Sequence, residues 1–338
     1  MTGIILHHYD YSPFSEKIRL IFGMKQLEWR SVIVPAVMPK PQLLPLTGGY
    51  RHTPVMQIGA DIYCDTRIIA REIERRFPEP PLHANLAEQG LSGVVEAWAE
   101  RDLFWPLARY VSGINAERTE PGLNADRAAL RGKPEPSPER LKQVARDSLG
   151  QALGEIRLID QMLSDGRDYL LGGAAPSLAD LSVYHGLWFL DALPIRCGAA
   201  LDLYPRIRAW MRRVTRLGHG IRTELPAAVA IDIATAAYPE PLMPGCDGSA
   251  PAPGSLVTVR PEGYVTPPVT GVLVRADAAR IVISRIDPTV GEVMVHFPRA
   301  GYVLRPAAGR GTAAAQPAAA GDDDISEDGP MALTGYDR

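Results

Sequence analysis

Gly3 to Lys25 reads GIILHHYDYSPFSEKIRLIFGMK. Its first part, Gly3 to Tyr9, is a short apolar run of the kind that fills a buried strand. Asp10-Tyr11 turns the chain, and Ser12-Pro13 opens a helix that runs to about Lys25. Serine is a favoured N-cap because its side chain accepts from otherwise unpaired backbone N–H groups. Proline is tolerated at the first helical position, where its missing N–H has no partner to lose. Ile18, Ile21 and Phe22 then give the helix an apolar face at steps of three and four.

Working outward, Trp29 to Val34 predicts a second strand, and the four prolines between Pro35 and Pro45 predict an irregular link. Thr53 to Ile58, the turn Gly59-Ala60-Asp61, and Ile62 to Cys64 predict a hairpin. Asp65 or Thr66 caps a helix reaching about Phe77, which Pro78 and Pro80 end. The order β-α-β, irregular link, β-β-α is that of an α/β thioredoxin-like domain.

From Leu86 to Tyr238 the pattern is helical. Leu149, Leu153, Ile156, Ile159 and Leu163 form one apolar stripe, and Ser177-Leu178-Ala179-Asp180 starts a helix through Trp188. Tyr204 to Leu217 predicts another, and the Pro- and Gly-rich segment 119–138 predicts a loop. The composition shifts at Pro239. Segment 239–254 reads as a linker, followed by short β-branched runs at Leu256–Val259, Val272–Val274, Arg280–Ser284 and Val293–Phe297. A small all-β module over 255–306 follows, too small to be secure alone and so expected to dock on the helical domain. Residues 307–338, Ala/Gly-rich and then acidic, read as disordered.

Composition narrows the function. With a formal net charge of −3 over 338 residues, the chain lacks the basic footprint of a nucleic-acid binder. No polybasic run suits an anionic membrane, and no apolar run approaches the length of a membrane span. Cys64, Cys197 and Cys246 are scattered and odd in number, which argues against a disulfide framework and for a reducing compartment. The first residues lack the pattern of a signal peptide, so a cytoplasmic protein is expected. The seven histidines show no metal-ligand spacing, and no metal is expected.

Ser12-Pro13-Phe14-Ser15-Glu16-Lys17-Ile18-Arg19 resembles the start of the first helix in glutathione transferases of the serine and cysteine classes, such as zeta and omega. Thr53-Pro54 resembles their cis-proline step, Asp65-Thr66 the acidic-then-hydroxyl pair that grips glutathione, and Ser177–Asp180 the capping box of their helical domain. The resemblance covers about 3–238 and leaves the β module without a counterpart. It implies a thioredoxin-like glutathione-binding domain over 1–83 and an all-α C-terminal domain over 84–238. Glutathione as co-substrate, a small hydrophobic electrophile as second substrate and a homodimer are implied with it.

The resemblance assigns roles that the residues can carry chemically. Ser12 stands at a helix N-terminus, where unpaired N–H groups and the helix dipole favour negative charge. Its hydroxyl can donate to the glutathione sulfur and favour the thiolate, the reactive nucleophile. Tyr9 and Tyr11 are rivals for that hydrogen bond, and Ser12 also reads simply as an N-cap. Thr53, before Pro54, offers its backbone to the cysteinyl unit. Thr66 faces the γ-glutamyl carboxylate and Asp65 the α-ammonium, and both also serve as helix caps. His52 and Lys40 face the glycyl carboxylate. Phe14, Phe104 and Trp105 line the electrophile pocket, although core packing explains such aromatics equally well. Glutathione-dependent isomerisation or dehalogenation, and a non-catalytic scaffolding role, are the alternatives to conjugation.

Overall fold

The computed structural model describes residues 3–307. The expected disordered tail lies outside them apart from Ala307, whose N–H donates to the Leu256 carbonyl. The first domain consists of β1 (Ile4–His8), α1 (Pro13–Met24), β2 (Glu28–Ile33), α2 (Leu44–Thr47), the hairpin β3 (Val55–Ile58) and β4 (Asp61–Cys64), and α3 (Thr66–Arg76). β1 pairs parallel with β2 and antiparallel with β3. This is the thioredoxin-like arrangement. α2 corrects the reading of 35–45 as wholly irregular: Pro45 takes a first-turn position, where proline sacrifices no hydrogen bond, so it does not block a short helix.

Alternation along the strands sends side chains to two cores. Ile4, Leu6, Met56 and Tyr63 pack with α1, α3 and the helical domain. Ile62 and Cys64 face the opposite core, together with Leu43, Leu46 and Tyr50.

The helical domain holds α4 (Leu86–Trp98), α5 (Phe104–Ile114), α6 (Leu123–Ala129), α7 (Pro138–Met162), α8 (Leu178–Trp188) and α9 (Pro205–Thr215). Residues 99–103 form a π turn between α4 and α5. Pro106 just beyond it has no N–H for the Asp102 carbonyl, which is where a helix widens or bends. Asp180 accepts from the N–H groups of Leu170 and Ser177 and from Trp210 Nε1, all within 2.9 Å, which locks the start of α8. α6 corrects the reading of 119–138 as plain loop.

Two further corrections concern the rest of the chain. After α9 it leaves the helical domain, adds β5 (Ile221–Glu224) parallel to β2, and lays α10 (Ala227–Thr235) against Ile5 and Val32. All four β5 residues are exposed, so no apolar face announced the strand. The module then supplies β6 (Gly245–Cys246), β7 (Leu256–Pro261), β8 (Val269–Ala276), β9 (Arg280–Asp287), β10 (Gly291–Pro298) and β11 (Tyr302–Pro306). Its main seat is the edge of β4 and not, as expected, the helical domain, from which it takes the Leu130 carbonyl for the Val265 N–H at 3.1 Å. β10 pairs parallel with β4, so one sheet runs β11-β7-β8-β9-β10-β4-β3-β1-β2-β5, with β6 beside β8. The physical reason is the open edge of β4, whose unpaired backbone groups a strand can satisfy. Val257, Leu273, Ile283, Val295 and Phe297 share the second core with Ile62 and Cys64.

Candidate functional site

Three chain segments meet at one end of the sheet. In register, His7 lies beside Val55, and Val55 beside Cys64. The end of β1, the start of β3 and the end of β4 therefore coincide, which brings the Ser12 turn, the Thr53-Pro54 step and Asp65-Thr66 together. The Thr53-Pro54 bond is cis. Ser12 Oγ caps α1 by accepting from the Ser15 N–H at 3.2 Å, and among the described residues its own proton has no acceptor. Asp65 caps α3 through Oδ1, 2.9 Å from the Arg67 N–H. It does so at φ 100°, a backbone region that disfavours side chains by about 1–3 kcal/mol and is kept where surroundings hold it. Burial, with Glu100 adding, pushes the Asp65 carboxyl up to about 6.

Lys40 and His52 stand beside the Thr53-Pro54 step. Lys40 is 3% exposed, and its Nζ donates to the Arg51 carbonyl at 2.9 Å. Among the described residues it has no carboxylate within ion-pair distance. Burial, helped by Arg127 and Arg51, lowers it to about 7. Among the described residues the buried His52 Nε2 has no hydrogen-bond partner, and burial together with Arg127 and Lys40 lowers the ring to about 3, so it is neutral. A buried ammonium without a counter-ion and an unpaired imidazole nitrogen are costly to keep. Together they fit a carboxylate.

α6 and the loop before it cover this end. Arg51 pairs with Asp126, whose Oδ1 also accepts from the Met38 N–H at 3.2 Å. Arg127 reaches the Ala36 carbonyl at 3.1 Å and the Tyr9 hydroxyl at 3.3 Å. Tyr11 donates to Glu120 at 3.0 Å, so its proton is committed, and burial raises its pKa. Under this cover Ser12 is 1% exposed.

The expected pocket aromatics form one cluster. Phe14 meets Phe104 at 4.8 Å between ring centres, and Phe104 meets Trp105 at 5.4 Å. Phe104 is buried behind the two half-buried rings, with His185 beside Phe14 at 5.0 Å. Arg131 lies over Trp105 at 4.8 Å. A cavity of about 330 Å³ between Tyr110, Leu149, Leu153 and Cys197 shares no residue with this site.

Sequence reasoning missed two groups here. Lys17, fully buried, binds Glu100 at 2.8 Å and Glu96, and Arg67 joins the same two carboxylates at 3.5 Å or less. This network ties α1 and α3 to α4 and the π turn. The second group comes from the β module: Tyr264 meets His52 at 4.6 Å, and Tyr302 reaches Asp65.

Residues 6–81 match the model of the glutathione S-transferase N-terminal domain, and residues 96–213 that of the C-terminal domain. A GST-like protein from Pseudomonas syringae is similar over 91% of this chain and 100% of its own, at 36% identity and a TM-score of 0.72. A span of that size must include part of the β module as well. Poplar glutathione transferase F1 is similar over 64% of this chain and 93% of its own, at 12% identity and a TM-score of 0.50, a likeness of fold alone. No curated protein matches the chain.

Proposed function

The chain belongs to the glutathione S-transferase family, and from that premise we propose that it binds glutathione where Ser12, Thr53 and Asp65 meet and activates its thiol toward a small electrophile. The observation that carries this reading is the buried Lys40 ammonium, without a counter-ion among the described residues, beside the His52 Nε2 that finds no partner among them. A glycyl carboxylate satisfies both. The Thr53 backbone then faces the cysteinyl unit, Thr66 the γ-glutamyl carboxylate and Asp65 the α-ammonium. This sets the thiol at the Ser12 turn, where the hydroxyl proton and the N-terminus of α1 favour a thiolate. Bound glutathione supplies the nucleophile, while Phe14, Trp105 and the Phe104 behind them give the electrophile an apolar wall.

The contacts that α6 and the loop before it make to Tyr9, Tyr11, Met38 and Arg51 must part for a tripeptide to reach Ser12. Three of these are hydrogen bonds that involve a charged group, about 1.5–3 kcal/mol each, and the fourth is the largely buried Arg51–Asp126 ion pair. The deep burial of Ser12 favours one second reading, a family member that holds a ligand without turnover. Pairing of two copies we place on α4, where Leu86, Leu91 and Val94 are exposed, with light scattering as its test.

Calorimetric titration with glutathione, followed by turnover with a panel of electrophiles, tests these readings. Binding with turnover supports the transferase, and binding without turnover supports the second reading. No binding overturns both.

A further inference from the structure

In sheet order four strands separate β11 from β4, yet Tyr302 at the start of β11 comes back over the corner between β4 and α3. The module has curled on itself and set its far edge against the site. The Tyr302 hydroxyl donates to Asp65 Oδ2 at 3.1 Å and stands 3.2 Å from the Tyr50 hydroxyl. One hydroxyl proton serves one acceptor, and the carboxylate is the stronger. Tyr302 is 4% exposed, and its ring is fixed against Phe297 at 5.4 Å and Tyr50 at 6.4 Å. The two Asp65 oxygens thus have separate partners: Oδ1 caps α3, and Oδ2 is held by the module.

We propose that Tyr302 is a positioning residue of the glutathione site, holding the Asp65 carboxylate turned toward the incoming α-ammonium, so that the β module is part of the binding site. This rests on the glutathione reading above. The groups facing Asp65 are Arg67 on α3, Glu96 on α4, Glu100 on the π turn, the Cys64 thiol on β4, and the tyrosines 50, 264 and 302. Burial and the two glutamates favour a protonated Asp65, which cannot serve an ammonium as a carboxylate does. A hydroxyl donating to the ionised oxygen works against them. Tyr302 therefore orients the group and keeps it charged.

The test is calorimetric titration of glutathione into the full-length chain between pH 5.5 and 8, for the wild type, Tyr302→Phe, Asp65→Asn and the double variant. Tyr302→Phe keeps the ring and loses only the hydroxyl. It is expected to weaken glutathione about tenfold at pH 7, the scale of one hydrogen bond to a charged group. Wild-type affinity falls as the pH drops through about 6, where Asp65 takes up its proton. In Tyr302→Phe that fall begins about one pH unit higher. In the Asp65→Asn background, Tyr302→Phe changes affinity less than about twofold, because the two act as one unit. Equal binding by wild type and Tyr302→Phe at every pH overturns the proposal, and so does an equal loss in both backgrounds, which marks a merely structural tyrosine. A flat wild-type profile overturns it without any variant. A wild type that binds no glutathione overturns the glutathione reading itself, and this proposal with it.

Discussion

His296 on β10 hydrogen-bonds Asp61 on β4, Nε2 to Oδ1, at 2.8 Å, and its ring stacks on Tyr63 at 4.3 Å. Asp61 Oδ2 also accepts from the Glu240 N–H at 2.7 Å. One buried carboxylate therefore fastens both the linker and the module to the edge of the thioredoxin-like sheet. The backbone ladder of β10 does the rest, taking up groups that an open edge would leave bare.

His296→Leu is expected to destabilise the whole protein, because Asp61 stays buried with one partner fewer. The cost is about 1–3 kcal/mol, a fall of a few degrees in melting temperature. Removing residues 240–338 goes further, stripping the β4 edge and uncovering Ile62 and Cys64. The truncated chain should melt earlier and aggregate. If it keeps the wild-type melting temperature and solubility, the module is not part of the structural core.

Lys40→Met separates function from stability. Its folded pKa of about 7 lies well below that of an exposed lysine, so the unfolded chain binds the extra proton between about pH 7 and 10.5. This group's contribution to stability therefore improves as pH rises through that window. Methionine removes a charge that the interior disfavours. The variant should melt no earlier than wild type at pH 7, while glutathione affinity falls about tenfold or more. In the wild type, affinity should also decline as the pH rises above 7 and the ammonium empties. A variant that binds glutathione normally removes Lys40 from the site.

Gly23 tests the return of the chain to the first domain. A Cβ there would overlap the carbonyl of Gly218, a backbone atom with no side-chain freedom to yield. The same loop is held by Trp29 Nε1, which donates to the His219 carbonyl at 2.7 Å. Gly23→Ala should push the 217–221 loop off α1, release β5 from β2 and cost about 1–3 kcal/mol as overpacking. Thermal unfolding, together with hydrogen exchange at β5, would show it. Unchanged protection at Ile221–Glu224 would mean that the loop adapts.

The contrast between legible and hidden elements has a physical basis. β1, α1, the hairpin and α8 each combine an apolar period with a local stop or cap, and both signals sit in neighbouring residues. Ser12, Thr53-Pro54 and Asp65-Thr66 were legible for the same reason, as residues that end or begin elements. The docking edge of the module was not, because a strand chooses its neighbour through backbone groups common to every sequence. Asp61 read as a turn residue, and His296 was one of seven histidines without metal-ligand spacing; only the fold makes them partners. Tyr302 follows a turn at Gly301 in a Tyr-Val-Leu run, a strand signal too short to stand alone. Lys40 was named for the glycyl carboxylate on the family resemblance, but its burial was hidden, because in a proline-rich link a charged residue ordinarily faces water.

Ser12 and the two nearby tyrosines can be told apart by turnover. Among the described residues Ser12 and Tyr9 each only accept, from the Ser15 N–H and from Arg127, and keep a proton to give, whereas that of Tyr11 is given to Glu120. If Ser12 donates to the sulfur, the hydrogen bond matters most once the sulfur is an anion. Ser12→Ala should then lower kcat about a hundredfold or more while changing glutathione affinity only slightly, since an interaction stronger along the reaction path than in the bound state appears in kcat. The alanine also removes the α1 cap, which costs about 1 kcal/mol of stability and sets a separate expectation for the melting temperature. Ser12→Cys should regain the cap in part and shift the chemistry toward disulfide exchange, because a thiolate forms a mixed disulfide and an alcohol does not. Full turnover in Ser12→Ala, with turnover abolished in Tyr9→Phe, would transfer the role to the tyrosine.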